Sequence, residues 1–267
     1  MAIDLTLAMI AATVQIDQPM ADGQREVGTG FLVNAPLPDG SPRTVLVTAG
    51  HVFDNMPGPA VSIGYRFQGA TGGWGLSRQP LAVRADARPL WTRNPAQDVA
   101  VIAIQAPPEF ARAAIPLAWL ADEAAFRQAG LEAGDEMFVL GFPKGFASNA
   151  EGFPILRAGR VASYPLTPIA EFPIFLLDFH VLGGNSGGPV FMAPGAHRAP
   201  GLPDVQGGFV AGVLTKQTQL ELGVVVDAAF IRQTIAQLDQ PPPSPEHPAP
   251  IDPAPPGPVA GAAGARP

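Results

Sequence analysis

Residues 183–191 read Gly183-Gly184-Asn185-Ser186-Gly187-Gly188-Pro189-Val190-Phe191. One serine stands among glycines, and an apolar run follows it. Glycine has no Cβ, so such a stretch takes backbone angles closed to other residues and lets a ligand approach the chain. Successive N–H groups can then point at one spot, which is what stabilising an oxyanion requires. Taken alone, the segment also reads as a loose turn. A serine hydroxyl is a weak nucleophile unless a base lies beside it, and that base needs a third group to fix its tautomer. Upstream, Thr48-Ala49-Gly50-His51-Val52 follows the apolar run 44–47, and Asp98 opens the run Val99–Ile104. An acid attached to a core run is expensive to bury unless it is paired. A histidine, an aspartate and a serine thus occur in that order, each at the edge of an apolar run.

Working outward, short runs rich in Val, Ile, Leu and Phe recur between Gly, Pro, Asp and Asn. They are 30–34, 44–48, 60–67, 80–83, 99–104, 137–141, 155–163, 173–180, 189–192, 208–214 and 223–226. Short strands with turn signals between them predict an antiparallel all-β sandwich or barrel set. Helical patterning is scarce. It is confined to 122–130, with an acid at the N-cap and a C-terminal Gly130, and to 228–238, capped by Asp227 with Phe230, Ile231, Ile235 and Leu238 on one face. The runs divide into two groups, about 10–118 and 131–227. Two six-stranded antiparallel barrels with a C-terminal helix fit this count. The expected organisation is a first barrel over 1–120, a second barrel plus helix over 121–240, and a tail over 241–267.

Composition narrows the function classes. The chain of 267 residues has no Cys, which excludes a disulfide scaffold and a cysteine-ligated zinc or iron–sulfur site. Its formal charge of −7, with Lys144 and Lys216 as the sole lysines, leaves no electrostatic footprint for nucleic acid. The four histidines are scattered and no HExxH pattern occurs, so no metal or other cofactor is expected. The apolar start, residues 1–18, has no basic residue before Arg25 and carries Asp4 where a signal peptide wants positive charge. It reads as a helical turn or edge leading into a strand near 11–16, with no membrane span, and a cytoplasmic location is the expectation. Residues 241–267 hold 11 of the 32 prolines. Proline fixes φ and removes donors, so this tail reads as an extended spacer, or as a ligand for a proline-recognising partner.

The motifs TAGHV, DVAVI and GGNSGGPVF, in that order and 47 and 88 residues apart at their reactive side chains, resemble the chymotrypsin-like (trypsin-like) serine peptidases. Residues 28–33 (GTGFLV), 140–143 (LGFP), 212–215 (GVLT) and 223–226 (GVVV) extend the resemblance. Cysteine-free bacterial members, of the HtrA and glutamyl endopeptidase types, are the most similar in pattern. The resemblance implies a site between two barrels and a polypeptide substrate. Ser186 would be the nucleophile, His51 the general base and then acid, and Asp98 the orienting carboxylate. The N–H groups of Gly184 and Ser186 would form the oxyanion hole. Thr215 falls where relatives often have a serine bonded to the triad acid.

Two departures carry information. The residue before the nucleophile is Asn185, where digestive members have an aspartate that pairs with a newly cleaved N-terminus, so activation of that kind is not expected. Val181, Leu214 and Gly223 would line the primary pocket, giving a preference for a medium apolar residue and none for Arg or Lys. His180, six residues before the serine, is either a strand-end histidine or a polar group in that pocket. His197 and His247 read as solvated, and Glu221 and Asp227 as a turn acid and a helix cap. Two rivals remain. Residues 184–188 also fit G-x-S-x-G, the elbow of α/β-hydrolase esterases, but that fold needs a helix after the serine, and only His247 follows a usable acid. A peptidase-like fold that only binds peptides would keep the same residues.

Overall fold

The computed structural model describes residues 4–198 and 208–240; the proline-rich tail and His247 lie outside the described residues. Asp4 caps the first helix, α1 (Leu5–Ala12), by accepting from the Thr6 and Leu7 N–H groups. The chain then enters β1 (Thr13–Pro19), β2 (Arg25–Asn34) and β3 (Thr44–Thr48), turns through α2 (Gly50–Asp54), and continues into β4 (Ala60–Gln68) and β5 (Trp74–Ala82). Short pieces follow: β6 (Arg84–Ala85), β7 (Arg88–Pro89), β8 (Thr92–Arg93), β9 (Ala100–Ile104), α3 (Pro108–Ala111) and β10 (Ile115–Pro116). All of these strands except β6 and β7, which pair with each other, build an eight-stranded sheet in the order β5-β4-β1-β2-β3-β9-β8, with β10 beside β2. After α4 (Glu123–Ala129) come β11 (Glu136–Gly141), β12 (Ile155–Val161), β13 (Ile174–Asp178), β14 (Pro189–Met192), β15 (Phe209–Gln217) and β16 (Gly223–Asp227), then α5 (Ala228–Gln237). The six strands β11 to β16 close into a barrel in the order β11-β12-β13-β16-β15-β14. The fold is all-β with few helices, as the run spacing predicts.

Strand β2 explains why its sequence runs apolar without alternation. Leu32 packs with Val14, Ile16, Leu46 and Ile63 inside the first sheet. Its neighbours Phe31 and Val33 point the other way and join Val45, Val47 and the second barrel in one core. Both faces are buried, so each position contributes apolar burial of about 1.5–3 kcal/mol, and period-2 polarity disappears. The same two-faced burial presses the first sheet against the barrel.

The α5 cap supplies a pH-dependent element. Asp227 is 1% exposed and accepts from the Ala229 N–H at 2.7 Å. Burial pushes its carboxyl up from 3.8 to about 7; the Ala229 N–H opposes this, and the Asp122 and Glu123 carboxylates add to it. The folded protein then holds a proton that the unfolded chain releases. Stability is flat below the unfolded value, falls as pH rises between 3.8 and about 7, and levels off above that. Asparagine caps a helix as well as aspartate does. Asp227→Asn is therefore expected to be neutral at about pH 4 and stabilising by a few kcal/mol at about pH 8. Urea midpoints at the two pH values check this; a variant midpoint that tracks wild type at both refutes it.

Candidate active site

Strand β3 ends at Thr48, and α2 begins two residues later, so His51 sits in the first turn of a helix. Asp98 stands two residues before β9. Its Oδ2 lies 2.6 Å from His51 Nδ1, and its Oδ1 accepts from the His51 backbone N–H at 3.0 Å. Arg93 on β8 donates to the same Oδ1 at 3.3 Å and pairs with Asp54. Burial of Asp98 works against its charge. The His51 hydrogen bond and charge, the His51 N–H and the Arg93 guanidinium outweigh this and hold the carboxyl below its usual range. The carboxylate is thus ionised and can stabilise an imidazolium.

The serine loop is held by both halves of the molecule. Thr29, on β2, donates its N–H to Ser186 O at 2.8 Å and its hydroxyl to Gly184 O at 2.6 Å. The Thr29 hydroxyl accepts from the Phe142 N–H, and Thr48 donates to Thr29 O. Gly187 has φ +87°, and a Cβ there would lie 2.0 Å from Thr29 O and 2.2 Å from Thr48 Oγ1, so only glycine lets the serine loop seat against β2 and β3. This contact brings Ser186 to the segment that carries His51.

Two loop carbonyls are engaged in a way that aims the next N–H. In a trans peptide, C=O and the following N–H point in opposite directions. Gly183 O accepts from the Lys144 N–H at 2.5 Å, turning the Gly184 N–H away from Lys144. Asn185 O accepts from the Gly188 N–H at 3.0 Å, turning the Ser186 N–H away from Gly188. Neither the Gly184 nor the Ser186 N–H has an acceptor among the described residues. Gly184 takes φ +93°, where a Cβ would meet Phe142 O at 2.3 Å. The Ser186 hydroxyl donates to the Thr215 carbonyl at 2.8 Å. A role as nucleophile would require the hydroxyl to leave this carbonyl by rotation about χ1.

The three residues expected to line the primary pocket also meet. A Cβ on Gly223 would lie 3.1 Å from Leu214 Cδ1 and 3.3 Å from Val181 Cγ2, so these three form one closed apolar contact. His180 is outside it: its side chain is 48% exposed, with Nδ1 3.5 Å from Glu221 Oε2. Arg157 fixes this corner by donating to His180 O at 2.8 Å and lying over the Phe179 ring. Thr215 departs from the sequence expectation. It is the bulged residue between Leu214 and Lys216, and its buried hydroxyl donates to Val224 O at 3.2 Å instead of reaching Asp98. The bulge turns the Thr215 carbonyl, not its hydroxyl, toward the serine. Arg93, Thr29 and Thr48 escape sequence reading, because arginine and threonine in strands are ordinary until the fold places them. The strand Pro189–Met192 after the serine excludes the strand–turn–helix of a hydrolase elbow. Among the described residues no group of three or more His, Asp or Glu side chains is placed to hold a metal, and no helix is long and apolar enough to cross a membrane.

The trypsin-like peptidase domain model matches residues 28–196, well over half of the chain. The chain belongs to the trypsin-like peptidase family. As a member it is a serine-type peptidase, a hydrolase of polypeptides. The solved structure of GrC is similar over 89% of this peptidase and 98% of that chain, at 14% identity and a TM-score of 0.52, and shares its fold. The Rv3671c protease from M. tuberculosis in its active form is 20% identical over 90% of this chain and 86% of its own, with a TM-score of 0.47. The thermostable serine protease AL20 from an extremophilic microorganism is 13% identical over 87% and 98%, with a TM-score of 0.49. Comparison with curated proteins finds no match.

Proposed function

We propose that this peptidase cleaves internal peptide bonds through an acyl-enzyme formed on Ser186, with the first half (1–120), built on the eight-stranded sheet, supplying His51 and Asp98 and the second (121–240), built on the closed barrel, supplying the nucleophile. The observation that carries the reading is the pairing of His51 Nδ1 with the ionised Asp98 at 2.6 Å beside a serine loop whose two N–H groups are aimed and unpaired. His51 removes the Ser186 proton as Oγ attacks the scissile carbonyl and later delivers it to the leaving amine. Asp98 keeps the Nδ1–H tautomer and stabilises the imidazolium between these steps. The Gly184 and Ser186 N–H groups take the developing oxyanion; losing one such donor lowers kcat by on the order of 10²–10³.

Specificity follows from Val181, Leu214 and Gly223. The closed apolar contact among them leaves no charge to match Arg or Lys, and the exposed position of His180 beside Glu221 removes the main polar candidate. The preferred residue before the cut is a medium apolar one. Activation by a new N-terminal ammonium is not part of the reading. Asn185 is neutral and 2% exposed, and the loop carbonyls that aim the oxyanion donors are already engaged.

A fluorophosphonate probe tests the reading. Labelling of wild type at Ser186, lost in Ser186→Ala and in His51→Ala, is the expected result. A folded wild-type protein that takes no label is instead a peptide-binding module. A peptide-library profile dominated by Arg or Lys before the cut refutes the apolar pocket.

A further inference from the structure

Beside the oxyanion loop lies a cavity of about 420 Å³ whose lining includes Asp17, Arg25, Arg78 and Lys144. Its charge is unbalanced. Asp17 is 1% exposed and is shared by both arginines. One carboxylate therefore faces three cations, in a chain whose formal charge is −7. Lys144 has no acidic partner among the described residues. It also holds φ +52°, a conformation uncommon outside glycine that tends to persist where the surroundings enforce it.

The cavity is built and not merely a chance crowd of surface charge. Arg78 donates to Gln15 Oε1 at 2.8 Å, and Gln15 Nε2 donates in turn to Gly145 O at 3.0 Å. This chain ties the arginines on the first sheet to the Lys144–Gly145 turn of the second barrel. The same turn donates the Lys144 N–H to Gly183 O, next to the proposed oxyanion donor Gly184. The opposite end of the serine loop meets β15, where the Gly187 N–H bonds Leu214 O at 2.7 Å. A peptide with its apolar residue at Val181, Leu214 and Gly223 and its carbonyl at Ser186 sends its leaving residues toward the cavity.

The geometry points to this cavity as a carboxylate-binding subsite for the leaving side of the substrate. Guanidinium forks and an ammonium match a carboxylate's two oxygens, and a partly enclosed setting strengthens the pairing. The ligand is an acidic side chain near the cut or the free C-terminus of a short leaving segment. The inference rests on the reading of Ser186 and the apolar pocket given above.

Quenched fluorogenic peptides test it. The series places Ala, Lys or Glu at the second and third leaving positions, and ends in a free or an amidated C-terminus. A kcat/KM about tenfold higher with Glu than with Ala, whatever the terminus, assigns the subsite to acidic side chains. A gain seen only with the free terminus assigns it to the terminal carboxylate. Either gain should collapse in Arg25→Gln and in Lys144→Gln, both of which keep the backbone N–H groups and leave Asp17 paired with Arg78. Equal rates for Ala and Glu with either terminus, a preference for Lys, or a gain that survives both substitutions overturns the inference. Should no peptide be cleaved, the catalytic reading has failed independently. Anisotropy of the same labelled peptides then decides the subsite: tighter binding of Glu or free-terminus peptides to wild type than to Lys144→Gln upholds it, and equal binding overturns it.

Discussion

Ser186→Ala, His51→Ala and the double variant are all expected to lose kcat by the same factor, on the order of 10⁶. The equality matters as much as the size. Oγ has no use as a nucleophile without a base to take its proton, and the base has no task without Oγ, so removing the second group after the first changes nothing further. Structural damage does not account for the loss in Ser186→Ala. The loop stays anchored by the Thr29 N–H on Ser186 O and the Gly187 N–H on Leu214 O. The side chain gives up one hydrogen bond, to Thr215 O, a change of about 1 kcal/mol in stability. Turnover of an apolar fluorogenic peptide, with residual wild type counted by fluorophosphonate titration, measures the factor. A double variant slower than either single by a further large factor would show that the two side chains act separately.

Asp98→Asn should lower kcat by about 10⁴ with little change in thermal stability. The direction follows from which oxygen is already committed. Asp98 Oδ1 accepts from both the His51 N–H and Arg93, so an asparagine keeps its oxygen there. Its NH₂ must then occupy the place of Oδ2, 2.6 Å from His51 Nδ1. Two donors cannot face each other, so the ring proton moves to Nε2, and the nitrogen that should accept the Ser186 proton is blocked. Labelling by the probe should slow in parallel with turnover, because both need the same proton transfer. A loss of less than tenfold would mean that Asp98 does not orient the base.

Much of this was legible from residue order. The runs 44–48 and 189–192 match strand boundaries to the residue, and the caps Asp122, Gly130 and Asp227 close the two helices where sequence places them. These are local effects: a run of branched apolar residues prefers extended chain, and a capping oxygen sits within three residues of the N–H it serves. The pairing of His51 with Asp98 was expected from the family resemblance that the motifs carry. Thr215 was misplaced because a bulge is a property of two paired strands. One extra residue against β16 turns its carbonyl to the serine and its hydroxyl to Val224.

By its own order of residues the chain determined an all-β molecule, a His–Asp–Ser series and a glycine-rich serine loop, because each is written in neighbouring residues. Tertiary structure alone decided that Thr29 clamps that loop, that His180 turns outward to Glu221, and that Arg25, Arg78 and Lys144 gather around Asp17. Those groups come from segments far apart in sequence. Nothing in a threonine, a histidine or an arginine announces its partner until the burial of both faces of β2 has brought the first sheet and the closed barrel together.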